Sequence, residues 1–266
     1  MKLSIVIPVY NSSEIIEILV ENIRFYLNKK LSNKFEIIFV NDCSFDNSWF
    51  SIKKLAKKYS FIKGIDLKEN IGQHAAIFVG LKFSKGDKII VMDDDLQHPP
   101  SSLIKIYNKL NSFDACYTLY LKRKHIFWKI LVSDINNLFS SFIFNKPYRI
   151  YFSSFKGFSS EVKNKFIDTK LQKVFLDSLI LRYSKNITSI NIIHHNRFEG
   201  DSNYSVKKLF NLWFDMIQNF HFYPLRFGSF IGIISFLFIK LLRIFQKKKN
   251  LLIRSKIKLF KVFISI

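Results

Sequence analysis

Two hydrophobic patterns alternate over the first 120 residues. Short β-branched runs occupy Leu3–Ile7, Phe35–Val40, Ile62–Leu67, Lys88–Met92 and Ala115–Tyr120. Helix-like segments lie between them, near Glu14–Leu27, Ser48–Tyr59, Gln73–Phe83 and Ser101–Leu110. Strands alternating with helices of this length predict βαβ units, hence an α/β fold with a mostly parallel sheet flanked by helices. Such sheets bind ligands beyond the carboxyl ends of their strands. Polar residues stand at three of those ends: Pro8-Val9-Tyr10-Asn11, Asn41-Asp42 and Asp93-Asp94-Asp95. The three clusters are expected to converge on one cleft. Beyond residue 120 the pattern loosens. Ile126–Phe144 reads as an amphipathic helix, Ile187–His194 as a strand, Arg197–Asn203 as a polar loop and Tyr204–Phe220 as another amphipathic helix. No internal repeat is evident.

Composition narrows the class. The 266 residues are 48% apolar and 23% charged, which excludes a disordered or collagen-like chain and allows a substantial core without disulfides. The two cysteines, Cys43 and Cys116, form no CxxC pair, against a disulfide scaffold or a cysteine zinc site. They suit a reducing compartment. No basic-then-apolar leader opens the chain. The net charge is +22, and Met216–Ile266 carries ten Lys and Arg with no acid. A field of that sign favours a polyanionic partner: nucleic acid, an anionic membrane face or a phosphorylated substrate.

Asp93-Asp94-Asp95 is the strongest local signal for chemistry. Three adjacent carboxylates repel one another, and a divalent cation would relieve the repulsion. Hard cations such as Mg2+ bind through one or two carboxylates together with substrate phosphates. In an extended segment residues i and i+2 share a side, so Asp93 and Asp95 are expected to face the cleft while Asp94 points away. A solvated acidic turn before Pro99-Pro100 is the competing reading. Gln97 and His98 are further metal or phosphate ligand candidates. Asp42 suits a carboxylate accepting a nucleobase N–H, or a plain turn residue. Tyr10 suits base stacking, or packing. Asn70-Ile71-Gly72-Gln73 opens a helix whose N–H groups and glycine would admit an anion. It matches neither a Walker loop nor GxGxxG, which disfavours a dinucleotide cofactor.

Read together, Ser4-Ile5-Val6-Ile7-Pro8-Val9-Tyr10-Asn11, Phe39-Val40-Asn41-Asp42-Cys43-Ser44, Asn70-Ile71-Gly72 and Val91-Met92-Asp93-Asp94-Asp95-Leu96-Gln97-His98-Pro99-Pro100 resemble family 2 glycosyltransferases of the GT-A fold. The Asp-Leu-Gln-His-Pro-Pro run resembles a narrower branch, the dolichol-phosphate mannose synthase-like or bacterial polyprenyl-phosphate glycosyltransferases. Ser153-Ser154-Phe155-Lys156, Phe175–Leu181, His195-Asn196-Arg197 through Tyr204, and Pro224-Leu225-Arg226 extend the resemblance over roughly residues 2–240. It implies a GT-A (Rossmann-like) catalytic domain over 1–221 and a C-terminal membrane-associated helical segment over 222–266. It also implies Mg2+ or Mn2+, a nucleotide-sugar donor (UDP-, GDP- or dTDP-linked), and inverting transfer of one sugar to polyprenyl (undecaprenyl) phosphate for cell-surface glycan synthesis. Carried over by position, Pro8, Tyr10 and Asp42 would line the nucleoside pocket. Asn70 and Gly72 would add donors to the leaving diphosphate, and Asp93, Asp95 and Gln97 would hold the metal and that diphosphate. Lys122-Arg123, Lys129 and Ser133 resemble acceptor-phosphate positions, and Arg197 and Ser202 belong to a loop that closes over the donor. The chain departs from the pattern at Ser12-Ser13, where many relatives have Glu, and at Asn41, Lys156 and Ser153-Ser154. The QxxRW motif of processive synthases is absent.

A phosphate acceptor fits this chemistry. A sugar hydroxyl needs a positioned general base, whereas a lipid phosphate is already anionic near neutral pH. The basic run Lys122-Arg123-Lys124 favours the phosphate. Phe227–Ile239 is uncharged but, at about 1.5 Å per residue, short of a ~30 Å hydrocarbon core. It predicts a shallow or re-entrant anchor, followed by a basic amphipathic tail over Leu251–Ile266 on anionic membrane lipid. The expected location is the cytoplasmic face of the cell membrane, a bacterial inner membrane, with no nucleic-acid partner. The rival readings are a transferase acting on a sugar hydroxyl of a lipid-linked glycan, and a catalytically inactive basic membrane-binding GT-A protein.

Overall fold

The computed structural model describes residues 1–120, 137–138, 141, 146–148, 150–168, 176–192, 232–236 and 240. The chain divides into two compact units, Met1–Asn219 and Phe220–Ile266. In the second, residues 232–236 and Lys240 are helical and exposed. Among the described residues no helix is long and apolar enough to cross a membrane. Most of the expected anchor and all of the expected tail lie outside the described residues, as do most of the segment expected to be helical at 126–144, of which residues 137, 138 and 141 are described and helical, and all of that at 204–220.

The first unit is built on a seven-stranded sheet in the order β3-β2-β1-β4-β6-β5-β7. Its strands are β1 Leu3–Val9, β2 Phe35–Asn41, β3 Ile62–Asp66, β4 Lys88–Val91, β5 Ala115–Tyr120, β6 Lys156–Ser159 and β7 Ile187–Ile192. Every residue of β1 and β2 is buried, as expected of central strands covered on both faces and written as continuous apolar runs. The edge strand β3 alternates instead. The pairs β1–β2, β1–β4, β2–β3 and β5–β7 are parallel. Only β6 runs against its neighbours, β4 and β5.

The helices are α1 Ile16–Leu31, α2 Ser48–Lys58, α3 Gln73–Phe83, α4 Ser101–Lys109, α5 Ser160–Asn164 and α6 Leu176–Tyr183. One core joins α1, α2 and α4 to the sheet through Leu19, Ile23, Ile52, Leu103 and Ile106. A second joins α3 and α6 to the sheet through Ile77, Leu81, Leu176 and Ile180. The α/β expectation therefore holds, with helices on both faces. Helix α1 begins at Ile16 rather than Glu14, after a turn in which Ile15 N–H donates to the Ser12 carbonyl.

Strand β6 and helices α5 and α6 were not expected. β6 is four residues long and contributes a single large apolar side chain, Phe158, so no period announces it. Gly157 lets α4 approach: a Cβ there would lie 2.5 Å from Ile106 Cγ2.

The chain order turns at β1. Strands β2 and β3 extend to one side of it and β4 to the other. Pairing of β1 with β2 continues to Val9↔Asn41, but pairing with β4 ends at Val6↔Val91. Met92 N–H donates to the Val6 carbonyl, so by the two-residue alternation Pro8 also faces β4. Its missing N–H falls where the ladder has already ended, so this central-strand proline removes no sheet bond. The pairing of the two strands stops there, and this switch point between them is where open α/β sheets form their ligand crevice.

Candidate active site

The loops after β1 and β2 are stitched together by small polar residues. Asn11 N–H donates to Ser44 Oγ at 3.0 Å, and Phe45 N–H returns a bond to Asn11 Oδ1 at 2.9 Å. Ser12 N–H donates to Ser48 Oγ at 2.8 Å, and Ser13 N–H to Asp46 Oδ2 at 2.9 Å. Asn11 and Cys43 take positive φ, 55° and 56°, at the two bends. Tyr10 is half exposed, and its ring meets that of Phe45 edge-on at 6.3 Å.

Asp42, at the end of β2, is 3% exposed. Its two carboxylate oxygens accept from Ile71 N–H at 2.8 Å and Gly72 N–H at 2.9 Å, while Asn70 Nδ2 donates to its carbonyl at 3.1 Å. The loop before α3 thus already holds an anion, and that anion is a protein side chain. These two N–H groups, expected to meet a diphosphate, are spoken for. Gly72 has φ +87° with nothing within 4 Å of a built Cβ. A side chain there would be strained by the backbone conformation, and the space beside the glycine is open.

The three carboxylates do not alternate. The chain bends from Asp94 to Leu96, and Leu96 has φ 60°, so the rule for extended segments fails here. Asp93 accepts from Gln73 Nε2 at 2.6 Å and lies 3.1 Å from His98 Nε2. Burial pushes its carboxyl up, but His98, Ser154 and the nearby Lys156 charge outweigh burial and hold it below the usual carboxylate range. Asp94, expected to point away, turns to Ser12, whose hydroxyl donates to Oδ2 at 2.5 Å. Burial raises Asp94 to about 6; the Ser12 bond opposes this, and the Asp93 and Asp95 charges add to it. Asp95 Oδ1 accepts from Gln97 N–H at 3.1 Å.

The segment leading into β6 closes the far wall. Ser154 Oγ lies 3.3 Å from His98 Nε2, and the His98 ring packs on Phe155 at 4.9 Å. Lys156, paired in register with Val91 and Tyr117, makes a buried ion pair with Asp177 of α6. The Tyr117 phenol beside them is held well above its ordinary value, by burial first and by Asp177 second.

The structure therefore brings Pro8, Tyr10, Asp42, Asn70, Gly72, Asp93, Asp95 and Gln97 to the carboxyl ends of β1, β2 and β4 and the loop before α3. Arg123, Lys129, Ser133, Arg197 and Ser202 lie outside the described residues. Among the described residues no three His, Cys, Asp or Glu side chains are arranged as a metal-binding group. Ser12, Gln73 and Ser154 were not foreseen as site residues. Ser12 was visible only as a departure from a pattern.

Residues 4–166 match the profile of glycosyl transferase family 2. The chain belongs to this family. It is a glycosyltransferase, and Asp93–Asp95 directly follow β4, beside the end of β1. It is 32% identical over 233 residues to the undecaprenyl-phosphate 4-deoxy-4-formamido-L-arabinose transferase of Yersinia enterocolitica serotype O:8 / biotype 1B, covering 87% of this chain and 71% of the relative. The Serratia proteamaculans protein of the same name is 30% identical over the same shares. Among solved structures, the chain is similar to glucosyl-3-phosphoglycerate synthase from Mycobacterium tuberculosis in complex with Mn2+, UDP and phosphoglyceric acid. There the TM-score is 0.57 at 15% identity, over 82% of this chain and 78% of that one. It is also similar to the mannosyltransferase PcManGT from Pyrobaculum calidifontis in complex with GDP-Man and Mn2+, with TM-score 0.54 at 15% identity, over 76% of this chain and 58% of that one. At such identities these likenesses establish the GT-A fold alone.

Proposed function

We propose that this chain transfers one sugar from a nucleotide-sugar donor to a polyprenyl phosphate at a membrane surface. The observation that carries the proposal is the acidic cluster Asp93–Asp95 set at the β1/β4 crevice, in a family whose similar members are named for undecaprenyl phosphate. In this reading residues 1–221 form the catalytic domain and 222–266 the membrane-associated segment, on the cytoplasmic face of a bacterial inner membrane.

The cluster suits a divalent cation, Mg2+ or Mn2+. Its donors are hard oxygens, and Asp94 is held at about 6 partly by the charge of its two neighbours, a crowding that a cation would relieve. Asp93, Asp95 and Gln97 would hold that ion, which supplies Lewis-acid stabilisation of the departing diphosphate. Gln73 and His98 fix the Asp93 carboxylate in its ionised form. Asp42 fixes the Asn70–Gly72 loop beside the nucleoside pocket lined by Pro8 and Tyr10. An acceptor phosphate oxygen forms the new bond to the anomeric carbon as the bond from that carbon to the donor diphosphate breaks, and the nucleoside diphosphate leaves with the electron pair. The phosphate enters as an anion, so no protein base is required. Arg123, Lys129 and Ser133 would bind it, and Arg197 and Ser202 would close over the donor.

The test is a screen of nucleotide sugars with purified protein, Mn2+ or Mg2+, and either undecaprenyl phosphate or a glycolipid. Metal-dependent labelling of undecaprenyl phosphate is expected. Labelling of the glycolipid alone, or of neither acceptor with any donor, overturns the proposal.

A further inference from the structure

Helix α2 carries a surface that the candidate site does not use. Ser48, Ile52 and Leu55 are its buried residues. Phe50, Lys53, Lys54, Lys57 and Lys58 follow at spacings of three and four, so they share the opposite face, and all five are exposed. Phe50 is 65% exposed. The helix contains no acid. Among the described residues the one carboxylate in salt-bridge range of these ammonium groups is Glu21, 3.9 Å from Lys58. Lys53 and Lys58 lie over the Trp49 and Tyr59 rings, at 5.7 and 4.9 Å.

We propose that this face of α2 lies on an anionic lipid surface, with Phe50 inserted and the lysines at the headgroups. Charge complementarity supports the choice: four cations on a helix that itself carries no acid, with Glu21 near Lys58, in a chain of net charge +22, suit a continuous sheet of phosphates. An apolar ring at one end of a basic helical face is the pattern of interfacial helices. A single-stranded nucleic acid would instead call for a groove with stacking rings, whereas this face is the convex outside of one helix. The position also serves the site. Phe50 lies within four residues of Asp46 and two of Ser48, which accept from the N–H groups of Ser13 and Ser12 in the loop after β1. A bilayer met by α2 is therefore met next to the mouth of the site. The contact is independent of which sugar or acceptor the enzyme uses.

The test uses the full chain carrying Phe50→Cys and Cys43→Ser, labelled with a polarity-sensitive dye. Cys116 is buried and stays unlabelled in the folded protein. With phosphatidylglycerol-containing vesicles the dye emission is expected to shift to the blue and strengthen, with no change on pure phosphatidylcholine. Raised salt is expected to weaken the response, and Lys54→Gln with Lys57→Gln to weaken it about 30-fold in lipid concentration. A dye unchanged on anionic vesicles overturns the proposal, whether or not the chain itself sediments with them. So does an equal response to phosphatidylcholine, or a response to a single-stranded oligonucleotide and not to vesicles.

Discussion

The Ser12 hydroxyl donates to Asp94 Oδ2 at 2.5 Å, joining residues 82 positions apart across the crevice where β1 and β4 separate. Ser12 is 8% exposed, so the bond is largely sheltered from water. It holds the middle member of the acidic cluster to the first loop of the chain, and it lowers the affinity of Asp94 for a proton. Ser12→Ala should therefore raise the Asp94 carboxyl further above the ordinary range. It should also cost about 1.5–3 kcal/mol of stability, the range for a hydrogen bond to a charged group. Urea unfolding of the two proteins measures the second effect. Equal midpoints and slopes would show that water replaces the bond without loss.

Asp93 offers a sharper test of the proposed cation site. Gln73 and His98 grip its two oxygens, and residues that orient a metal ligand typically contribute 10–100-fold to metal affinity. Gln73→Ala and His98→Ala should each weaken Mn2+ binding by roughly that factor. Asp95→Ala should abolish transfer while the protein stays folded. Calorimetric titration with Mn2+ and a nucleoside diphosphate reads the first effect, and the sugar-transfer assay together with circular dichroism reads the second. Wild-type affinity in the two Ala variants at 73 and 98 would make the grip on Asp93 purely structural, and near-normal turnover of Asp95→Ala would remove that residue from the metal.

Much of this fold is written locally. β1 and β2 are continuous apolar runs because both their faces are covered, and the helices between the first strands begin and end within a few residues of where their patterns place them. β6 is different. Its four residues become a strand only because Val91 and Tyr117, far away in the sequence, offer pairing edges on either side. The site divides the same way. Asp93–Asp95 and Asp42 are conspicuous because charges at strand ends are costly without a purpose. Ser12 and Ser154 are small polar loop residues and Gln73 is the first residue of α3, and no local pattern marks any of them as part of a site. They acquire meaning only through contacts spanning 82, 20 and 56 positions. Side-chain alternation is a property of extended chain, and the segment from Asp94 to Leu96 bends, so that rule does not fix where Asp94 and Asp95 point.

The loop held by Asp42 predicts a separable pair of effects. A Cβ at residue 72 has open space, so Gly72→Ala is penalised by backbone conformation alone, at about 1–3 kcal/mol for a residue held at φ 87°, ψ 154°. Asp42→Ala instead leaves the Ile71 and Gly72 N–H groups without their acceptor. Combined in one protein, the two changes should cost less than the sum of the singles, because a loop released by one no longer enforces the strain of the other. A double-mutant cycle by urea unfolding measures this. Strict additivity would mean that the Gly72 conformation is fixed by something other than Asp42.

Lys146 gives a pH dependence with a definite sign. Its ammonium is 5% exposed and donates to Asn137 Oδ1 at 2.6 Å, to Ser141 Oγ at 3.1 Å and to the Ile150 carbonyl, all uncharged acceptors. The rings of Tyr151 and Phe152 flank it at 5.9 and 5.3 Å. Burial lowers it from the usual lysine value of 10.5 to about 8. Between those two values the unfolded chain binds the proton and the folded chain does not, so stability must rise with pH across that window. Below pH 8 the folded protein carries the full cost of burying the charge, and above 10.5 the cost is gone. The full rise attributable to this group is about 3 kcal/mol. Other lysines titrate in the same range, so the informative quantity is the difference from Lys146→Met, which keeps an unbranched side chain without the charge. The wild-type protein should gain stability relative to that variant as pH increases from 8 to 10. A constant difference across the window would show that the three oxygen acceptors and two rings compensate the burial in full and that Lys146 stays charged in the folded protein.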